Sequence, residues 1–227
     1  MSSTPCPPAI AIAVDWDAVD TVLLDMDGTL LDLRFDNWFW LEHVPAAWGR
    51  ERGLAAGAAL AALAPRFAAA RGTLAWYCID HWSCELGLDI RALKRGVREQ
   101  VAWIPGAEQF LARLATLGKR RALVTNAHPE ALAIKDGHAD LAGHLDAVYS
   151  THAFGAPKET EAFWPRLQAV ERFDPARTLV VDDTLPVLAA ARGFRIRWLR
   201  AIRRPDSGQP PRDTGDFVGV DSVAELL

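Results

Sequence analysis

The sequence predicts an α/β fold: a Rossmann-like parallel sheet core with a helical subdomain inserted after its first strand. Three observations carry this. Short continuous apolar runs each stop at a polar cluster: Thr21-Val22-Leu23-Leu24 at Asp25, Ala122-Leu123-Val124 at Thr125-Asn126, and Leu179-Val180-Val181 at Asp182-Asp183. Runs of this kind are strands buried on both faces, as in parallel sheets. Helical patterns lie between them, which is the alternation of right-handed βαβ units. Residues 35–103 break the alternation, with no strand-like run and with Trp76, Ile79, Asp80 and Trp82 at helical spacing. The expected division is therefore an α/β core of residues 1–34 and 104–227 and a helical subdomain of residues 35–103.

Taken in order, residues 1–20 read as a loosely ordered lead-in to the first strand. Pro105-Gly106 opens a helix that runs to about Leu117 and closes at Gly118, the usual placement of proline and glycine. After the second strand, Pro129 begins a helix, and Ala147-Val148-Tyr149 is a weaker strand. Glu161 to Glu171 and Leu185 to Ala191 are helical, the latter ending at Gly193, and Arg195 to Leu199 is a fifth strand. Pro205 to Asp216 reads as loop, and Asp221 as the cap of a short final helix.

Composition removes several function classes. Half of the 227 residues are apolar, 24% are charged and the net charge is −4, which excludes a disordered or collagen-like chain. Mild acidity argues against nucleic-acid binding. The apolar stretch Leu54 to Pro65 is too short to span a membrane. Cys6, Cys78 and Cys84 form no Cys-x-x-Cys pair, so the expectation is a cytoplasmic, reducing setting, with Cys78 and Cys84 as small buried residues. Arg192, Arg195, Arg197, Arg200, Arg203 and Arg204 read as a solvated face, or else as a patch steering an anionic substrate. No Gly-x-Gly-x-x-Gly follows the first strand, so a dinucleotide site is unsupported.

In open α/β sheets ligands bind beyond the carboxyl ends of the strands. Here those ends carry Asp25-Met26-Asp27-Gly28-Thr29, Thr125-Asn126 and Asp182-Asp183, with Lys158 after the fourth strand. Two carboxylates ~4 Å apart repel by roughly 4 kcal/mol at an effective dielectric of 20. Gathering Asp25, Asp27, Asp182 and Asp183 in one crevice therefore calls for a hard divalent cation, and Mg²⁺ is the usual one beside phosphate. Mn²⁺ or Co²⁺ are alternatives at such oxygen sites. Asp25 is the candidate nucleophile, and Asp27 the acid that protonates a leaving oxygen and then deprotonates water. Gly28 permits close approach of backbone to phosphate. Thr125 and Asn126 bind phosphate oxygens, and Lys158 stabilises charge on the phosphoryl group and on Asp25. Asp183 holds the metal directly and Asp182 through water.

Asp25-Met26-Asp27-Gly28-Thr29-Leu30, Thr125-Asn126, Lys158 and Asp182-Asp183 resemble, in order, the four motifs of the haloacid dehalogenase superfamily. The resemblance covers about residues 20 to 205 and implies a helical C1-type cap inserted after the first motif. Dehalogenases lack the second aspartate, so Asp27 favours phosphoester chemistry. Stretches in Leu23–Trp40, Thr73–Ile90, Leu123–Ala133, Tyr149–Glu159 and Arg204–Gly208 resemble the purine 5′-nucleotidases of the superfamily. That likeness implies Mg²⁺-dependent hydrolysis of nucleoside 5′-monophosphates, GMP and IMP preferred, through an aspartyl-phosphate. The substrate expected is thus a small phosphomonoester, a purine nucleotide. A phosphatase for a sugar phosphate or phosphoglycolate, or a phosphomutase, would share the same motifs. A signalling receiver domain is disfavoured, because its acidic pair precedes the phosphorylated aspartate in the chain.

For the base, at least one of Trp38, Trp76 and Tyr77 is expected to line the pocket, where an aromatic face could stack on a purine. Aromatics at helical spacing are equally the stuff of a core. Asp80 and His81 could reach a base edge. His128, beside Thr125-Asn126, could touch substrate or simply begin a helix.

Overall fold

A computed structural model describes residues 13–227. Cys6 and most of the lead-in lie outside the described residues. The sheet has six parallel strands in the order β3-β2-β1-β4-β5-β6. They are β1 (Thr21–Leu24), β2 (Arg120–Thr125), β3 (Ala147–Ser150), β4 (Thr178–Asp182), β5 (Trp198–Ile202) and β6 (Gly219–Val220). Every residue of β1 and β4 is buried, as continuous apolar runs demand of central parallel strands.

Successive side chains of β1 point to opposite faces. Val22 and Leu24 join Leu123, Leu179 and Val181 in one apolar cluster with Phe110, Leu111 and Leu114 of α7 (Ala107–Thr116). Leu23 joins Ala122, Val124 and Val180 in another, covered by α9 (Phe163–Glu171) and α10 (Leu185–Gly193). Helix α8 (Pro129–Ala139) follows β2, with Pro129 in its first turn and the His128 ring accepting from Glu130 N.

Between β1 and β2 lie α1 (Arg34–Trp38), a π-turn (Phe39–His43), α2 (Val44–Arg50), α3 (Ala56–Ala70), α4 (Leu74–Tyr77), α5 (Ile79–Leu86) and α6 (Ile90–Arg95). These helices bury a separate cluster centred on Phe39, Leu63, Phe67, Ile79, Trp82 and Leu86. Its aromatic rings meet edge to face: Phe67 on Trp82 at 5.0 Å, and Trp76 on Trp82 at 6.2 Å. Such pairs contribute about 0.5–1.5 kcal/mol each beyond their buried area. The chain enters and leaves this helical insertion along one seam, where Asp32 N donates to Ala102 O and Ile104 N to Leu30 O, both at 2.8 Å.

Several elements differ from expectation. Residues 13–20 are packed rather than loose: Val14 and Val19 are buried, and Trp16 Nε1 donates to Leu226 O at 3.1 Å. The fifth strand begins at Trp198, because Arg195 takes a left-handed φ of +65° and closes the turn after α10. The helix expected from Glu161 begins at Phe163, after a turn in which Thr160 Oγ1 bonds Pro157 O. Asp221 caps nothing; its carboxylate pairs with Arg203 and Arg204, and the closing turn Val223–Leu226 follows Ser222. Cys84 is exposed, since it falls on the outer side of α5. The arginine-rich stretch is largely exposed, as a solvated face requires, with one exception and with specific partners for several of its members. Arg200 is buried, Arg192 lies over the Phe217 ring at 3.9 Å, and Arg203 and Arg204 are neutralised. Among the described residues no helix is long and apolar enough to cross a membrane.

Candidate active site

Asp25 follows β1 directly, and its N–H donates to Val181 O at 3.0 Å, continuing the sheet pairing by one residue. That fixes its carboxylate at the carboxyl end of the sheet beside Asp182 and Asp183, which end β4. One carboxylate oxygen from each of the three lies within 4.8 Å of the others. Lys158 reaches in from the loop after β3 and places Nζ 2.5 Å from Asp25 Oδ1 and 2.7 Å from Asp182 Oδ2. Burial pushes the Asp25 carboxyl up to about 6; Lys158 opposes this and Asp182 reinforces it. Burial likewise raises Asp182 and Asp183 to about 6, with Lys158 opposing the first and Asp25 adding to the second. One ammonium and the Arg212 guanidinium beside Asp183 do not neutralise three buried carboxylates, and the donors are hard oxygens. The set fits a hard divalent cation.

The aspartates divide the work. Asp182 spends Oδ2 on Lys158 and accepts Thr184 N at Oδ1, 2.8 Å, so it holds Lys158 and its own loop. Asp25 and Asp183 are left as the oxygens that face the crevice. Asp183 Oδ2 is also 3.1 Å from Nη2 of Arg212, in the loop before β6.

Gly28 has φ +88°, and a Cβ there would stand 2.8 Å from Pro205 Cβ and 2.9 Å from Asp183 Cγ. Only glycine meets both demands. Its N–H donates to Leu31 O at 2.7 Å, so it supplies close approach of the loop rather than a free donor. Thr125 is buried at the end of β2, and its Oγ1 accepts Ala127 N at 3.0 Å, leaving the hydroxyl proton to point elsewhere. Asn126 lines the cavity and also braces the scaffold: Oδ1 accepts Lys158 N at 2.9 Å and Nδ2 donates to Glu159 Oε2 at 2.8 Å. These bonds fasten the Lys158 loop to β2.

Asp27 lies in a second charged cluster that sequence reasoning missed. Lys135 of α8 sits 2.5 Å from Asp27 Oδ1 and 2.5 Å from Asp36 Oδ2, and Lys94 of α6 sits 2.7 Å from Asp36 Oδ1. Burial raises the Asp27 carboxyl to about 6, helped by Asp36 and opposed by Lys135. Burial works against the Asp36 charge too, but Lys135 and Lys94 outweigh it and hold that carboxyl well below the usual range. A signal for Lys135 existed: it shares the buried face of α8 with Ala131, four residues earlier.

A cavity of about 570 Å³ opens over both clusters, the size of a small-ligand pocket. Its floor holds Asp25, Asp27, Lys158 and Asp183, and its roof is Trp40, Trp76 and Tyr77 of the insertion. Trp76 and Tyr77 therefore stand where expected. Trp38 does not: its ring packs on His43 at 4.8 Å, turned from the cavity, and Trp40 two residues on takes the lining position. Tyr77 OH donates to Glu159 Oε1 at 2.9 Å, a bond between insertion and core. His128 serves as helix entry.

The comparisons with known proteins agree with this geometry. The model of the haloacid dehalogenase-like hydrolases matches residues 19–195. The chain is 44% identical over 197 residues to the GMP/IMP nucleotidase YrfG of Escherichia coli (strain K12), covering 87% of this chain and 89% of that one, and equally to that of Shigella flexneri. In fold it is similar to an HAD phosphatase from Thermococcus onnurineus, with TM-score 0.75 and 19% identity over 91% of this chain and 95% of that one. It is also similar to the L-2-haloacid dehalogenase of Xanthobacter autotrophicus, with TM-score 0.61 and 19% identity over 91% and 96%. At such identities these structures speak for the fold alone. With the family model spanning most of the chain and the strand-end residues gathered under one helical insertion, the chain belongs to the haloacid dehalogenase-like hydrolases and is an enzyme of that family.

Proposed function

We propose that this hydrolase cleaves phosphoric monoesters, specifically nucleoside 5′-monophosphates with GMP and IMP preferred, releasing nucleoside and phosphate. The observation that carries the reading is the pairing of Asp25 and Asp27 at the floor of a cavity roofed by aromatic side chains. The likeness to a GMP/IMP nucleotidase extends through the insertion as well as the motifs, since the alignment covers 87% of the chain. In this reading residues 1–34 and 104–227 are the catalytic core and residues 35–103 the cap. The setting is cytoplasmic, in keeping with free Cys78 and Cys84.

The cofactor is Mg²⁺, or Mn²⁺ or Co²⁺ in its place. Asp25 and Asp183 would hold it, with Asp182 behind them. Bound there, it offsets carboxylate repulsion and the charge of the phosphoryl oxygens. Asp25 attacks phosphorus in line, forming an aspartyl-phosphate as the ester oxygen departs. Asp27, with its carboxyl near 6, is poised to be protonated or ionised close to neutral pH. It gives its proton to the leaving O5′ and then takes one from the water that hydrolyses the intermediate. Lys158 remains charged throughout, because Asp182 and Asp25 outweigh its burial, and it stabilises the transferring group. Thr125 offers its hydroxyl to a phosphate oxygen. Trp40 and Trp76 present ring surface to the base.

The test is phosphate release from GMP, IMP, AMP, CMP, UMP, glucose 6-phosphate and phosphoglycolate, with Mg²⁺ and with chelator. Mg²⁺-dependent preference for GMP and IMP is expected. A preference for the sugar phosphate or phosphoglycolate would retain the aspartate chemistry and discard the nucleotidase.

A further inference from the structure

We propose that Cys78, His128 and His152 form a second metal site, for a soft divalent cation such as Zn²⁺, which ties the helical insertion to the sheet beside the cavity. One potential ligand atom from each lies within 4.8 Å of the other two, and all three residues are half-buried. A sulfur and two imidazole nitrogens suit zinc and are foreign to magnesium. This set is therefore chemically distinct from the oxygen site at Asp25 and Asp183.

The three residues come from three separately anchored places. Cys78 stands at the start of α5 in the insertion, and its Sγ accepts His81 N at 3.4 Å. His128 stands at the start of α8, and its Nδ1 accepts Glu130 N through a long 3.3 Å bond. His152 lies in the turn Thr151–Phe154 after β3. The two rings are 5.0 Å apart and nearly perpendicular.

Helix capping accounts for Cys78 and for His128 taken singly. It does not account for His152, whose Nε2 is buried with no hydrogen-bond partner among the described residues. A buried unpaired nitrogen is costly and calls for an explanation, and a cation between the three side chains supplies one. The other sides of the rings are arranged as metal-binding imidazoles require. The Asn126 backbone acts as acceptor toward His152, and His128 Nε2 faces Asp80 Oδ2 at 3.6 Å. Coordination costs weak capping bonds at Cys78 and His128. The Cys78 thiol proton passes to solvent as Sγ binds, and no oxidation state changes. Three protein ligands leave a fourth position for water.

The site bridges insertion and core next to the Tyr77–Glu159–Asn126 bonds, so an ion there fastens the insertion over the cavity. Cobalt titration of the Mg²⁺-loaded enzyme tests it. Because Co²⁺ can also enter the oxygen site, it is added beyond two equivalents, enough to fill both; a thiolate-to-cobalt charge-transfer band should then appear, which an all-oxygen site cannot give. The band should vanish in Cys78→Ser and persist in Cys84→Ser. Serine is itself a good N-cap, so Cys78→Ser should retain α5. His152→Asn should weaken Zn²⁺ binding about ten-fold or more in competition with a colorimetric chelator, and it decides the matter should Cys78→Ser fail to fold. Absence of the band in the unaltered protein, its survival in Cys78→Ser, or unchanged Zn²⁺ affinity in His152→Asn would overturn the proposal.

Discussion

Of the three buried lysines that line the cavity, two each bridge a pair of aspartates. Lys158 joins Asp25 to Asp182, both from the ends of sheet strands. Lys135 joins Asp27, on the loop after β1, to Asp36, on the first helix of the insertion. The first bridge is made wholly by residues of the core. The second crosses a seam and continues to Lys94, so its geometry depends on how the insertion sits. The nucleophile candidate is thus fixed by the core alone, whereas the acid–base candidate is held jointly by core and insertion. This contrast suggests a division in which phosphoryl transfer is prepared in advance and proton transfer awaits the right packing of the insertion.

The largest expected effect is that of Asp25→Asn. Turnover should fall by about three orders of magnitude or more, with the thermal transition retained. Phosphate release under saturating substrate measures this, and residual activity above a few per cent would remove Asp25 as nucleophile. Next comes Lys158→Met, which leaves two buried carboxylates without their cation. A loss of about 3–5 kcal/mol in urea unfolding is expected, together with loss of activity on every phosphomonoester alike.

Lys135→Met should behave differently, and this difference is what the comparison stands on. Lys135 lowers the Asp27 carboxyl against burial, so its removal should carry Asp27 further above 6. Asp27 must be protonated to release the ester oxygen, so the alkaline limb of the kcat/KM profile should move to higher pH. The loss should be about ten-fold or more for GMP, a fraction of what general acid–base catalysis supplies, and smaller for 4-nitrophenyl phosphate, whose leaving group needs no proton. Equal losses for the two substrates, or an unmoved profile, would collapse the distinction between the lysines.

The last expected effect is on stability against pH. Asp25, Asp27, Asp182 and Asp183 each stand near 6 in the folded chain, against about 3.9 when unfolded. Between these values the folded state binds more protons than the unfolded one, so stability should decline as pH rises from about 4 to about 6. Asp36 is shifted in the opposite direction, and its window lies below that range. In chelator-treated protein the melting temperature should fall across this interval. Added Mg²⁺ should restore it more at pH 7 than at pH 5, because only ionised carboxylates bind the cation.

What could be read from the sequence follows from how local each signal is. The three best strands announced themselves because burial on both faces leaves no polar residue until the strand ends at a functional one. Asp25 and Asp183 were legible for that reason, and Lys158 only through its place in the order of the motifs. The role of Asn126 was not, because its partners Lys158 and Glu159 lie more than 30 residues away. The Lys135–Asp36–Lys94 chain joins a core helix to two helices of the insertion, and no spacing rule links positions so far apart. Trp38 and Trp40 show the limit from another side. Both are aromatic and close to the first motif, and only the turn of the backbone through Phe39–His43 decides which one faces the cavity.

The separate aromatic cluster of the insertion has an optical consequence. Five of the nine tryptophans, Trp38, Trp40, Trp48, Trp76 and Trp82, belong to it. Intrinsic fluorescence therefore weighs the insertion more heavily than the sheet. Trp40, Trp76 and Trp82 also border the cavity, so a ligand entering it changes the surroundings of emitters that need no added label. The protein carries its own gauge of occupancy.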